Sequence, residues 1–152
     1  MADGSVLEAI DKAFGAVARP EHFCADQYWE YDEATEHDRL LVSRTRETLS
    51  IDDVGNPGWD PLCFSSAQGI AYFMPALARF ALAEATACYA PQLLFHVYHG
   101  FKDNKLWLFC DRAQKEAIAG LLNHLIMTRA ALIEDWGMAD EVFRAYELWS
   151  EN

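Results

Sequence analysis

Apolar residues recur at three- and four-residue intervals over most of this chain, a spacing that predicts helices rather than strands. Ser5-Val6-Leu7-Glu8 reads as a capping box, with the serine serving a free backbone N–H and the glutamate reaching back. Leu7, Ile10, Phe14 and Val17 then share one face, and Pro20 closes an element expected over about residues 6–18. Leu40, Leu41, Thr45 and Leu49 mark a second helical face over 38–49, whereas 24–37 has no clean period and is expected as a helix or an ordered loop. Gly55-Asn56-Pro57-Gly58-Trp59-Asp60-Pro61 is the strongest turn signal in the chain.

Behind that turn, Ser65-Ser66-Ala67-Gln68 repeats the capping pattern and opens a segment with almost no polar face: Ile70, Tyr72, Phe73, Met74, Leu77, Phe80 and Leu82. A helix apolar on every side is buried on most of them, so 66–85 is expected to be the central element, kinked or split at Pro75. Pro91 and Gly100 bracket a helix over 92–99. Residues 106–109 read as a short extended piece. Asp111 caps a long helix striped by Ala117, Ile118, Leu121, Leu122, Leu125 and Ile126, and Gly137 separates it from a last helix over 139–149. The expectation is a single all-α domain spanning 1–152, a compact bundle of six to seven helices around the central one.

Composition narrows the function classes. With 52% hydrophobic and 13% aromatic residues the 152-residue chain is not disordered, and its length suits one core. A net charge of −12 opposes an electrostatic grip on nucleic acid or anionic lipid, so direct nucleic-acid binding is not expected. Residues 1–60 carry 14 acids against 5 bases and the remainder 10 against 7, which concentrates the negative charge in the first part. The apolar run over 69–90 raises the question of a membrane span, but Arg79, Glu84 and Pro75 interrupt it, so a buried helix is expected. The first residues have no basic region ahead of an apolar run, as a leader would. Cys24, Cys63, Cys88 and Cys110 are scattered without a C-x-x-C pair and are expected as buried apolar filler, which fits a cytoplasmic protein.

Three pieces, Ala13-Phe14 with Arg19-Pro20-Glu21, Gly58-Trp59-Asp60, and Gly69-Ile70-Ala71-Tyr72-Phe73-Met74-Pro75-Ala76-Leu77, together resemble a family of small acidic bacterial proteins known only as a domain of unknown function. The likeness extends weakly to Gln114–Leu125. Its motifs are aromatic, proline and small-residue positions, the pattern of packing. The resemblance implies a bacterial cytosolic protein and brings no activity, cofactor or catalytic residue with it.

Few constellations offer chemistry. Glu33 and His37 stand at i and i+4, so a helix would aim both at one cation, with Glu36 and Asp38 close by. His96 and His99, one turn apart, can supply two imidazoles to zinc or iron, with Cys88, Cys110 or the Glu33 cluster as a third ligand in space. The competing readings are a solvated acidic face and partly buried structural histidines. There is no nucleophile elbow, P-loop or dinucleotide fingerprint, and no cysteine in an electropositive setting. Arg39, Arg44 and Arg46 are expected to pair with Glu36 and Glu47. Tyr28, Trp29 and Tyr31, set among Asp32, Glu33 and Glu36, are different in kind, because tyrosine and tryptophan dominate binding hot spots. These six residues are the expected contact set of a non-enzymatic acidic binding protein that docks a basic protein partner, immunity- or inhibitor-like, with no cofactor. The alternative is a metal-binding protein or metalloenzyme using His37, His96 and His99. A homodimer through the last two helices is a third possibility.

Overall fold

The computed structural model describes residues 2–83 and 88–151. Among them lie nine α-helices and four 3₁₀ turns, with no strand beyond one isolated antiparallel bridge between Cys24 and Ser65. The all-α expectation holds. The helices outnumber the six or seven expected because several are only four to six residues long, too short to display a period.

Helix α1 (Asp3–Phe14) starts earlier than the serine signal suggested: Ala2 is its N-cap, Ser5 lies inside it, and the capping box with Glu8 does not form. What pins the first turn is Asp3, whose carboxylate takes Nη1 and Nη2 of Arg129 at 2.8 Å each and Nε2 of His124 at 2.6 Å. An acid there also suits the positive end of the helix. At the other end, the Arg46 guanidinium donates to the carbonyls of Phe14 (2.8 Å), Gly15 (3.3 Å) and Val17 (3.2 Å), which a helix C-terminus leaves open, and lies 4.4 Å over the Tyr72 ring.

Helix α2 (Asp32–Val42) begins and ends earlier than the helix expected over 38–49, overlapping only its first part. Residues after it turn back, and a capping box between Ser50 and Asp53 opens the four-residue α3 (Ile51–Val54). The glycine- and proline-rich stretch becomes two 3₁₀ turns, Pro57–Trp59 and Pro61–Phe64, capped by Asn56 and Asp60.

Helix α4 (Ala67–Leu82) is the buried centre, with every residue from Gly69 to Ala78 inside. Ser66, not Ser65, caps it by accepting from Gly69 N at 3.1 Å, and Gln68 reaches across to Ala18 O at 2.8 Å. The helix runs on through Pro75 without splitting and ends at Leu82; residues 84–87, where the end near 85 and Glu84 were expected, lie outside the described residues. A Cβ on Gly69 would come within 2.8 Å of the Phe23 ring, so glycine lets α4 approach that segment closely.

Helix α5 (Ala90–Tyr98) carries Pro91 in its first turn, and Gly100 follows it at φ +84°. The expected extended piece is instead helix α6 (Lys105–Phe109), started by Asn104 Oδ1 accepting from Trp107 N at 2.9 Å. Asp111 and Gln114 form the expected capping box of α7 (Arg112–Thr128). A short α8 (Ala130–Asp135) intervenes before Gly137, at φ +67°, and α9 (Ala139–Ser150). Helix α7 packs between α1 and α9, α1 also packs on α4, and α5 spans from α4 to α9. Phe14, Phe23, Phe73 and Trp149 are fully buried, and the Trp149 indole donates to Val97 O at 2.8 Å. Among the described residues no helix is long and apolar enough to cross a membrane.

Candidate functional site

The aromatic, acidic segment ahead of α2 is held in place by residues 64–66 and by Asp38 of α2. Ala25 N donates to Phe64 O (2.8 Å) and Ser66 N to Phe23 O (2.7 Å), which ties 23–25 to 64–66. Asp38 of α2 then accepts from Phe23 N (2.6 Å) and Cys24 N (3.0 Å) through Oδ1 and meets His22 Nδ1 (2.8 Å) through Oδ2. This clamp seats the 3₁₀ turn Asp26–Tyr28 beside the Pro61–Phe64 turn.

A continuous run of ring contacts results. Tyr31 and Tyr28 are 6.4 Å apart by ring centroid, Tyr28 meets Phe64 edge-on at 5.2 Å, Phe64 stacks on His37 at 5.6 Å, and His37 meets Trp59 at 4.5 Å. Trp29 stands edge-on to His22 at 5.3 Å. Tyr31 is 53% exposed, Trp59 42% and Trp29 39%, while Tyr28 and Phe64 are half-buried and His37 is buried beneath them. Around them Glu21, Asp26, Glu30, Asp32 and Glu36 are exposed, and half-buried Glu33 lies 3.2 Å from His37 Nε2. All six expected contact residues, Tyr28, Trp29, Tyr31, Asp32, Glu33 and Glu36, thus belong to the short stretch entering α2. Trp59, Phe64 and His37 join them through the fold. The sequence places Trp59 in a turn and His37 among candidate metal ligands, and neither position carries a spacing signal that links it to the aromatic cluster.

Not every acid of the first sixty residues contributes to this face. Asp38 and Asp60 are buried, Asp3 is bound to Arg129, and Asp53 meets Arg44 at 2.9 Å. That last pair corrects the expected arginine pairing with Glu36 and Glu47, as does the use of Arg46 on backbone carbonyls.

The histidines go to separate places. His37 serves Glu33 and the ring run, His99 is exposed and stacks on Phe95 at 4.8 Å, and His96 is buried against Asp60. Among the described residues no group of three His, Cys, Asp or Glu side chains is gathered as a metal site. Asp60 instead organises a buried network: Oδ1 accepts from Leu62 N (2.9 Å), and Oδ2 accepts from Gln92 Nε2 (3.2 Å) and His96 Nε2 (2.8 Å). Gln92 donates as well to Val54 O at 2.7 Å.

On the outer side of this network lies a cleft of about 410 Å³, lined by Tyr28, Cys63, His96, His99, Asn104 and Lys105 among others. Cys63 is exposed at it, yet surrounding atoms and then the Asp60 charge push its thiol up to about 11, so it stays a protonated thiol at neutral pH. The Lys105 ammonium donates to Ser65 O, and desolvation lowers its pKa. The filler reading of the cysteines holds for buried Cys24 and Cys110, the latter pushed up to about 12 by burial, but not for Cys63 and Cys88, which are exposed.

No known family model, curated protein or solved structure matches the chain.

Proposed function

We propose that this chain is a non-enzymatic, acidic binding protein of the bacterial cytoplasm that docks a basic protein partner, in the manner of an immunity protein or inhibitor. The observation that carries this reading is the run Tyr31, Tyr28, Phe64, His37 and Trp59, exposed at both ends and edged by carboxylates. Rings of this kind offer large contact area at low entropic cost and accept arginine or lysine over their faces. The rim carboxylates speed encounter with a basic surface and disfavour acidic ones. The buried scaffold beneath, with Asp38 bonded to three groups, holds the face rigid before binding, which lowers the ordering cost of association. The cytoplasmic and bacterial placement rests on the resemblance in packing residues.

The test is affinity capture on the whole chain from bacterial extract, at low and at high salt, alongside the double variant Trp29→Ala, Tyr31→Ala. A basic protein retained by the native chain at low salt, weakened at high salt and absent from the double variant supports the reading. Equal retention by both chains, or no retained basic protein at either ionic strength, contradicts it.

A further inference from the structure

We propose that the groove between the end of α5 and the start of α9 binds an organic ammonium ion, a quaternary or methylated nitrogen carrying apolar groups. None of its residues belongs to the docking face, and the inference does not need that reading.

The groove is built largely from rings. Phe95 and Tyr98 come from the last turn of α5 and His99 from its C-cap, Phe101 follows in the next turn, and Met138 and Glu141 at the start of α9 form the other side. Its volume of about 500 Å³ lies within the roughly 300–1,000 Å³ usual for small-molecule sites. The His99 ring stacks on Phe95 at 4.8 Å, and Phe101 meets Tyr98 edge-on at 6.0 Å. Phe95 is 48% exposed and Phe101 41%, so neither ring is used up in the core. Phe101 also stands in a costly place: its φ is +51°, in the left-handed region that suits glycine, directly after Gly100 at +84°. Asn104 fixes that turn, its amide donating to His96 O and His99 O at 2.9 Å each. A phenylalanine held in a strained turn with much of its ring in solvent is placed for contact rather than for packing.

Charge decides which ligand suits those rings. An aromatic ring presents a negative face, which attracts a cation. Glu141 is exposed and lines the groove, and no lysine or arginine does. Among the described residues its carboxylate has no ion-pair or hydrogen-bond partner. Arg144, one turn further along α9, neither pairs with it nor lines the groove, and the Lys102 ammonium is turned to Glu151 at 4.0 Å. In a chain of net charge −12 such a place gathers cations. A metal ion is the wrong cation, because one carboxylate among apolar walls cannot replace the several oxygen ligands a hard ion demands. An ammonium wrapped in methyl or alkyl groups is the right one: its apolar surface meets the rings and the soft Met138 thioether, while its charge meets Glu141.

The experiment titrates the full chain at constant ionic strength and about pH 8, where histidine side chains are ordinarily neutral, and follows amide chemical shifts. The probes are choline and, separately, its uncharged isostere, the alcohol with a tert-butyl group in place of trimethylammonium. The expected result is saturable shifts at His99, Gly100, Phe101 and Glu141 with choline, and binding of the alcohol weaker by about tenfold or more. Phe95→Leu keeps apolar bulk but removes a ring, and Glu141→Gln keeps shape but removes the charge; each should weaken choline by about threefold or more and leave the alcohol within about twofold. The amide spectrum of each variant shows that it is folded as the native chain is. Absence of shifts at the groove with choline at about 100 mM overturns the proposal, since a site that weak is no site. An alcohol that binds as tightly as choline also overturns it, assigning the groove to neutral apolar ligands, as does an unchanged choline affinity in either variant. A dimer by light scattering, with shifts at Phe95 and Phe101 on dilution, gives the groove to a second copy of the chain and overturns it likewise.

Discussion

Replacing Asp60 with alanine is the sharpest probe of how the Pro61–Phe64 turn is joined to α5. The carboxylate receives three hydrogen bonds, from Leu62 N at 2.9 Å, Gln92 Nε2 at 3.2 Å and His96 Nε2 at 2.8 Å, and its side chain is 3% exposed. Alanine leaves all three donors buried. Each orphaned donor costs about 1–3 kcal/mol, and Gln92 keeps its bond to Val54 O, so the sum after local relaxation is about 3–5 kcal/mol. That is a large share of the roughly 5–15 kcal/mol by which a domain of this size is stable. Asp60→Asn keeps the acceptor for Leu62 N but points an N–H₂ toward Gln92 and His96, and about 1–3 kcal/mol is expected. Urea melts followed by tryptophan fluorescence measure both, with an unchanged slope indicating a change in stability alone. A loss below about 1 kcal/mol for Asp60→Ala would refute the reasoning, because the buried donors would then have found water or other partners.

Three further outcomes follow from the same geometry. Arg46→Lys replaces a fork serving Phe14 O, Gly15 O, Val17 O and Tyr72 O by a single ammonium, and denaturant melts should show a loss of about 1–3 kcal/mol. The Asp3 carboxyl is held well below its ordinary range, chiefly by the hydrogen bond from Arg129 and then by that from His124, so its contribution is complete above about pH 4 and declines as pH falls from there. Thermal melts of Asp3→Asn against pH should therefore be lower than the native chain's at neutral pH and converge with it in acid; because Asp3 is 44% exposed the difference is modest. The Tyr89 hydroxyl is buried without a partner among the described residues, so Tyr89→Phe should leave stability within about 1 kcal/mol or raise it in the same melts.

The parts legible in the sequence were those decided locally. Asp111 with Gln114, Pro91 with Gly100, and the all-round apolar run after Ser66 each specify an element through contacts within a few residues, and each appears where expected. Misreadings arose where a distant partner overrode a local signal. Ser5 and Glu8 make a credible cap, but Arg129 and His124 hold Asp3 and draw the helix start forward. Lys105–Phe109 is too short to show a helical period, and the cap from Asn104 is a single hydrogen bond. The site divides the same way. Tyr28, Trp29 and Tyr31 were visible as a cluster because they are neighbours in the chain. Phe64 and Trp59 reach them only through the bridge at Cys24 and Ser65 and through His37. His96 and Asp60, separated by 36 positions, carry no spacing signal, so their pairing was not readable before the fold.

The docking account rests most directly on the affinity of the captured basic partner for the native chain and for Trp29→Ala, Tyr31→Ala, measured by calorimetry over a series of salt concentrations. The account predicts that the double variant, folded as the native chain is, loses about 2 kcal/mol or more of binding, and that native affinity falls as salt rises. An affinity unchanged by the double substitution and insensitive to salt would contradict it.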